Sequence, residues 1–155
     1  WATSRRPMRP TIAMRMVGCR GDSPKTADHR LKRPKTGGNP LARPPHIRRI
    51  CVDAVEAEVR SATPGAYYLV LTHDHDLDLR ITEAILRRGD FGFLGLIGSQ
   101  TKRARFVKRF ERRGIPIETI RRMTCPIGVE GIVGKQPEVL ALAAVAQLLQ
   151  VASRR

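Results

Sequence analysis

The stretch "YYLVLTHDHDLDL", Tyr67 to Leu79, sets two histidines and three aspartates directly behind an apolar run. Imidazoles ligate metals and carry protons near neutral pH. Carboxylates bind cations or accept the free amides of a helix start. A second stretch, "GLIGSQTKR", Gly95 to Arg103, passes from apolar residues through Gly98 to Ser99, Lys102 and Arg103. A third, "CPIGVEGIVGK", Cys125 to Lys135, spaces three glycines between a thiol and an amine. Metal binding, anion binding and sulfur chemistry are the possibilities these residue types open.

Zinc is the first to test. "THDHDLD" resembles the T-H-x-H-x-D-H signature of metallo-β-lactamase-like hydrolases, and His73 and His75 fit its first two ligands. The register then fails, because Leu77 and Asp78 stand where the aspartate and the next histidine belong. The remaining histidines, His29 and His46, lie far away in sequence. Zinc needs at least three good ligands, so no metal is expected. The aspartates suit a helix start instead. Asp76 or Asp78 would cap the helix and oppose its dipole. His73 then sits at the carboxyl end of a strand, and His75 in the exposed loop beyond it.

The elements around these motifs alternate. "HIRRICV" reads as a short strand and "DAVEAEVRSA" as a helix. "YYLVLT" is an apolar, β-rich run, expected to be buried on both faces. "DLRITEAILRRGD" puts Leu79, Ile81, Ala84 and Ile85 on one helical face, with Gly89 beyond the last turn. "FGFLGLIG" is a further buried strand. "SQTKRARFVKRFERRG" is a helix with Ser99 as N-cap and Gly114 as stop. "PIETIRRM" is a short helix, "TCPIGVEGIVGK" a loop, and "QPEVLALAAVAQLLQVA" a helix with Pro137 near its first turn. This alternation predicts an α/β fold, a parallel sheet with helices on its faces. Ligands of such sheets bind outside the carboxyl ends of the strands.

That position gives the second motif its chemistry. The amides of a helix opening at Ser99 form an anion site, to which hydroxyls and the charges of Lys102 and Arg103 can add. Alternatively Ser99 is a plain N-cap, with Lys102 and Arg103 in solvent. The glycines of the third motif let backbone approach a ligand. Cys125 is either a small buried residue or a sulfur-handling thiol.

The 155 residues suffice for one domain of ordinary size. Its net charge is +15, from 29 basic and 14 acidic residues. The first 45 residues hold eleven basic and two acidic side chains and seven of the eleven prolines. Without apolar periodicity they are expected to be disordered, and no motif makes them a nucleic-acid-binding arm. Three scattered cysteines, Cys19, Cys51 and Cys125, argue against a disulfide framework or a Cys-rich zinc site. A reducing cytoplasm is the expected location, since the start lacks the apolar core of a secretory signal. The longest apolar stretch, Val139 to Leu149, is too short to span a bilayer.

Taken together, "LTHDHDLD", "FLGLIGSQTKRARF" at Phe93–Phe106 and "CPIG…GK-x-PE" at Cys125–Glu138 resemble the C-terminal domain of the XdhC/CoxI family. The likeness runs from about residue 46 to 152. The family's members are accessory proteins of xanthine dehydrogenase, which implies a place in purine catabolism, and of related molybdenum hydroxylases. The resemblance implies a Rossmann-like fold over residues 46–155. It implies transient binding of the molybdenum cofactor (molybdopterin), which is held while a cysteine desulfurase supplies its sulfido ligand and is then passed to the xanthine dehydrogenase apo-subunit. Such a protein is a chaperone rather than an enzyme. Its oligomeric state is open, with a homodimer as one option, and neither nucleic acid nor membrane is an expected partner. By resemblance, His73, Gly98, Ser99, Lys102, Gly128 and Lys135 surround the cofactor.

One departure stands out. Family members begin this domain with a strand and a G-x-G-H-V-G turn, and this first strand and glycine-rich turn are missing here. Residues 1–45 instead have the look of out-of-frame translation or a faulty gene start. An NAD(P)-dependent oxidoreductase on the same fold is the alternative, weakened by the absence of G-x-G-x-x-G. A basic nucleic-acid-binding protein is the other, and its affinity would collapse with salt.

Overall fold

The computed structural model describes residues 50, 52–132, 134 and 136–154. Element order is α1 (Val55–Ser61), β1 (Tyr67–Val70), α2 (His75–Arg88), β2 (Phe93–Leu96), α3 (Gln100–Arg112), α4 (Ile117–Arg121), β3 (Met123–Thr124) and α5 (Pro137–Ser153). The three strands form one parallel sheet in the order β1-β2-β3. Tyr67 pairs with Phe93 and Val70 with Leu96 across the first ladder, and Leu94 pairs with Met123 across the second.

Side chains alternate across the sheet with the period of two that a strand imposes. On one face Val70, Leu94, Leu96 and Met123 meet Val55 and Val59 of α1, Leu79, Ile81, Ile85 and Leu86 of α2, and Phe106 and Phe110 of α3. On the other face Tyr67 and Phe93 meet Ala144 and Leu148 of α5, with Ile127 between them. Every residue of β2 is buried, because helices cover both its faces. The fold is therefore the parallel α/β arrangement that the strand–helix alternation predicts, and it is consistent with the Rossmann-like fold that the resemblance implies.

Local differences from the expectations have physical causes. β1 ends at Val70, two residues early, since Thr72 turns its amide and hydroxyl toward Asp78 rather than toward β2. Asp74, not Asp76 or Asp78, caps α2. Its carboxylate accepts from the amides of Asp76 at 2.8 Å and Leu77 at 3.2 Å. His75 thus opens the helix instead of lying in the loop. The run read as a loop from Thr124 onward begins inside β3, a two-residue strand too short to leave a periodic signal. In the run expected as a first strand, Ile50 and Val52 are not in a strand, and His46–Arg49 and Cys51 lie outside the described residues. So do residues 1–45, Lys135, and the histidines His29 and His46.

Helix ends follow the sequence signals more closely. Ser99 caps α3 by accepting from the amide of Lys102 at 3.2 Å. Gly89, with φ 75°, closes α2 in the left-handed region, and Pro137 begins α5. Among the described residues no helix is long and apolar enough to cross a membrane.

Candidate functional site

The β1–α2 and β2–α3 turns lie side by side at the carboxyl edge of the sheet, because β1 and β2 are parallel neighbours. Between them is an open cleft of about 300 Å³, lined by Thr72, His73, His75, Ile97, Gly98, Ser99 and Lys102. Four of the positions expected around a ligand, His73, Gly98, Ser99 and Lys102, are thus brought together. Gly128 is not among the lining residues. It lies near α5, where its amide donates to the Gln147 side chain at 2.9 Å. Lys135 lies outside the described residues.

Lys102, which lines the cleft, belongs to a buried ion pair. Lys102 Nζ stands 2.5 Å from Asp78 Oδ2, with Asp78 fully buried and Lys102 8% exposed. The same ammonium donates to the carbonyl oxygen of Ile97 at 2.8 Å. Thr72 completes the charge-assisted network, its Oγ1 2.6 Å from Asp78 Oδ1 and its amide donating to that oxygen at 3.3 Å. Lys102 is therefore neither the solvated cation of a bare N-cap nor a free charge for an anion. Its charge is matched by Asp78, and two of its three donors are in use. The sequence could not single out Asp78, one of three aspartates in a five-residue span, as the buried partner. Its contact lies 24 residues away, on the next helix.

Gly98 makes this arrangement possible. A Cβ there would stand 2.6 Å from Lys102 Cδ, inside the volume the lysine stem needs as it crosses to Asp78. Arg103, the other cation of the motif, turns away from the cleft and donates to the Met123 carbonyl at 2.7 Å, tying α3 to β3. What the cleft offers an anion is thus mainly backbone. The amides of Gln100 and Thr101 lack intrahelical acceptors at the start of α3, and the helix dipole adds partial positive charge there. His73 and His75 are exposed across from it, and the Ser99 hydroxyl remains able to donate while its oxygen caps the helix.

Cys125 lies behind the Ser99 turn, 5% exposed, its sulfur 3.9 Å from the Ser99 carbonyl oxygen. Burial pushes the thiol above its ordinary value, against the opposing pull of Lys102 and Arg103. At neutral pH it is a thiol, not a thiolate. Asp74 is shifted the other way, its carboxyl held below the usual aspartate range by the amides of Leu77 and Asp76. Among the described residues no group of three or more His, Cys, Asp or Glu side chains could hold a metal ion.

Comparison with known proteins bears on the whole arrangement. The family model of the XdhC Rossmann domain matches residues 12–148, a span that starts upstream of residue 46 and takes in the entire cleft. Among solved structures, the chain is similar to the crystal structure of a xanthine dehydrogenase from Bacillus halodurans. That match has 24% identity and a TM-score of 0.55, over 72% of this chain and 31% of the other. The chain therefore spans about a third of that protein's length, and the likeness is one of fold. No curated protein matches the sequence. The match over most of its length, on a fold with the parallel sheet and crossover helices described above, shows that the chain belongs to the XdhC Rossmann-domain family.

Proposed function

We propose that this chain is an accessory protein for a xanthine dehydrogenase or related molybdenum hydroxylase. It holds the molybdenum cofactor during sulfuration and hands it to the apo-enzyme. One observation carries this reading: in a member of the XdhC family, the cleft at the carboxyl edge of the sheet gathers His73, Gly98, Ser99 and Lys102 around a helix start with open amides. A phosphate-bearing pterin fits the chemistry of that donor set. The phosphate would lie at the Gln100 and Thr101 amides, where the helix dipole favours an anion. The Ser99 hydroxyl and the remaining Lys102 donor would add hydrogen bonds, and His73 would flank the group. The cofactor supplies the molybdenum and its exchangeable sulfido ligand. The chain supplies orientation and charge matching, and catalyses no reaction by itself. A cysteine desulfurase would furnish the sulfur.

Cys125 is a poor sulfur carrier in this state, since burial keeps it protonated.

The test is binding of purified molybdenum cofactor, measured by ultrafiltration and pterin fluorescence. Ser99→Asp is the informative variant. Aspartate caps a helix as well as serine does, yet it puts a negative charge where the phosphate would sit. Wild type should bind one cofactor per chain, and Ser99→Asp at least tenfold more weakly with its thermal stability unchanged. Absence of binding by folded wild type would refute the proposal. Displacement of the cofactor by NAD(P) at comparable concentration would favour the oxidoreductase alternative.

A further inference from the structure

Helix α3 divides into two faces. Lys102, Phe106 and Phe110 are buried, with Arg103 and Val107 half-buried beside them. On the opposite side, at 100° per residue, Thr101, Arg105, Lys108 and Arg112 fall within about 60° of one another. All four are exposed. The neighbouring cations are engaged: Arg103 on the Met123 carbonyl, Arg109 3.9 Å from Asp76, and Arg113 on Glu83. Among the described residues, Arg105, Lys108 and Arg112 have no such partner. Spaced three and four residues apart, they repel one another and weaken the helix. The first turn of α3 carries no acidic residue to favour its dipole. Such a local conflict within a well-packed helix points to a role outside the fold.

Charge decides what can cover this face. The first 45 residues, with eleven basic and two acidic side chains, cannot supply the counter-charge. A second copy of a chain with net charge +15 is also a poor partner. The occupant must be acidic. Single-stranded nucleic acid fits poorly, because both phenylalanines of α3 are buried and offer no stacking surface. Exposed Glu111 on the same helix, and exposed Asp76 beside Arg109, would also repel a phosphate backbone. A folded protein surface, carrying carboxylates among neutral and basic groups, suits this mixture.

We propose that the exposed face of α3, formed by Arg105, Lys108 and Arg112, docks an acidic surface of a protein partner. The stripe starts at Thr101, on the same helix turn that opens onto the cleft, so a partner seated there lies beside the cleft mouth. Resting on the carrier reading above, this makes α3 both a cofactor-holding and a recipient-aligning element: its N-terminus faces the ligand and its outer face the receiving enzyme. Charge pairs at the edge of an interface act chiefly on encounter rate and are weakened by salt.

The experiment uses the full chain, wild type and the triple variant Arg105→Glu, Lys108→Glu, Arg112→Glu, against apo-xanthine dehydrogenase in surface-binding kinetics at 50 and 300 mM salt. A duplex DNA serves as the second probe, and cofactor binding to each chain serves as the fold control. The expected result is at least a tenfold loss of affinity for the variant at low salt, mostly in the association rate and narrowing at high salt, with cofactor binding retained. Equal binding of the apo-enzyme by both chains would overturn the docking face and leave the carrier reading standing. Wild type that binds cofactor but no apo-enzyme would also overturn it. Tighter binding of DNA than of apo-enzyme, abolished by the same reversal, would reassign the face to nucleic acid. Loss of cofactor binding by wild type would strike the carrier reading itself.

Discussion

Replacing Lys102 with alanine removes the only cation within hydrogen-bond reach of Asp78 among the described residues, and Asp78 has no exposure to water. Thr72 alone would remain to satisfy its carboxylate. Breaking a buried pair by deleting one partner costs about 3–5 kcal/mol, because the surviving charge is left desolvated. A domain of this size has a total stability of about 5–15 kcal/mol, so the loss is a large part of the whole. With a urea m-value of about 2 kcal/mol/M, the midpoint should fall by about 2 M. Pairing Lys102→Met with Asp78→Asn should restore most of it. Asparagine still accepts from Thr72 through its side-chain oxygen, and methionine fills the lysine stem's path without a charge. A double-mutant cycle in urea, followed by circular dichroism, should therefore show a coupling energy of about 2 kcal/mol or more. Additive single effects, or a cost below about 1 kcal/mol for Lys102→Ala, would refute the view of Lys102 as a structural ion-pair partner. It would then be a free ligand-binding cation after all.

Gly98→Ala should act through the same lysine. The new Cβ forces Lys102 Cδ from its path, and overpacking of this kind costs about 1–3 kcal/mol, readable as a lower urea midpoint. Asp74 supplies an acid-side prediction. Its carboxyl is held below the usual range by the Leu77 and Asp76 amides, so its stabilising effect is complete above its unfolded value of about 3.9 and fades as pH drops through the folded one. Asp74→Asn keeps the cap but should flatten that part of the acid limb in thermal melts between pH 6 and 2.5. Cys125 has the opposite sign. Burial raises its thiol, so stability is intact below the unfolded value of about 8.5 and declines as pH climbs toward the folded one. With Cys19 and Cys51 replaced by serine, Cys125 should react with a disulfide reagent at pH 7.5 far more slowly in the folded chain than in urea. Equal rates would show that the thiol is accessible.

The alternation of elements was legible because each run is governed by local rules. Apolar β-rich runs bounded by turns marked β1 and β2, and the spacing of Leu79, Ile81 and Ile85 marked the buried side of α2. Ser99 stood immediately before a helical run, so its cap was readable. The cap of α2 was not, because Asp74, Asp76 and Asp78 are the same residue type at alternate positions. Only the backbone at Asp74, extended with φ −106° and ψ 116°, makes it the first residue outside the helix. β3 escaped detection because two residues carry no period and the strand exists only through its ladder to Leu94 and Gly95.

By itself the sequence determined that strands and helices alternate, that His73 and Ser99 end up at strand-to-helix turns, and that the chain carries a large positive charge. These follow from propensity, periodicity and composition, which act over a few residues or none. Only the tertiary structure decided that the two turns face one another, that Lys102 spends its charge on Asp78, and that Arg103 serves β3 rather than the cleft. It also decided that three cations of α3 are left facing outward. Each of those outcomes depends on which groups the pairing of the three strands and the packing of α3 on the sheet bring within about 3 Å of each other, and which they leave outside. Electrostatic and hydrogen-bond energies are settled at that distance, and spacing along the chain does not encode it.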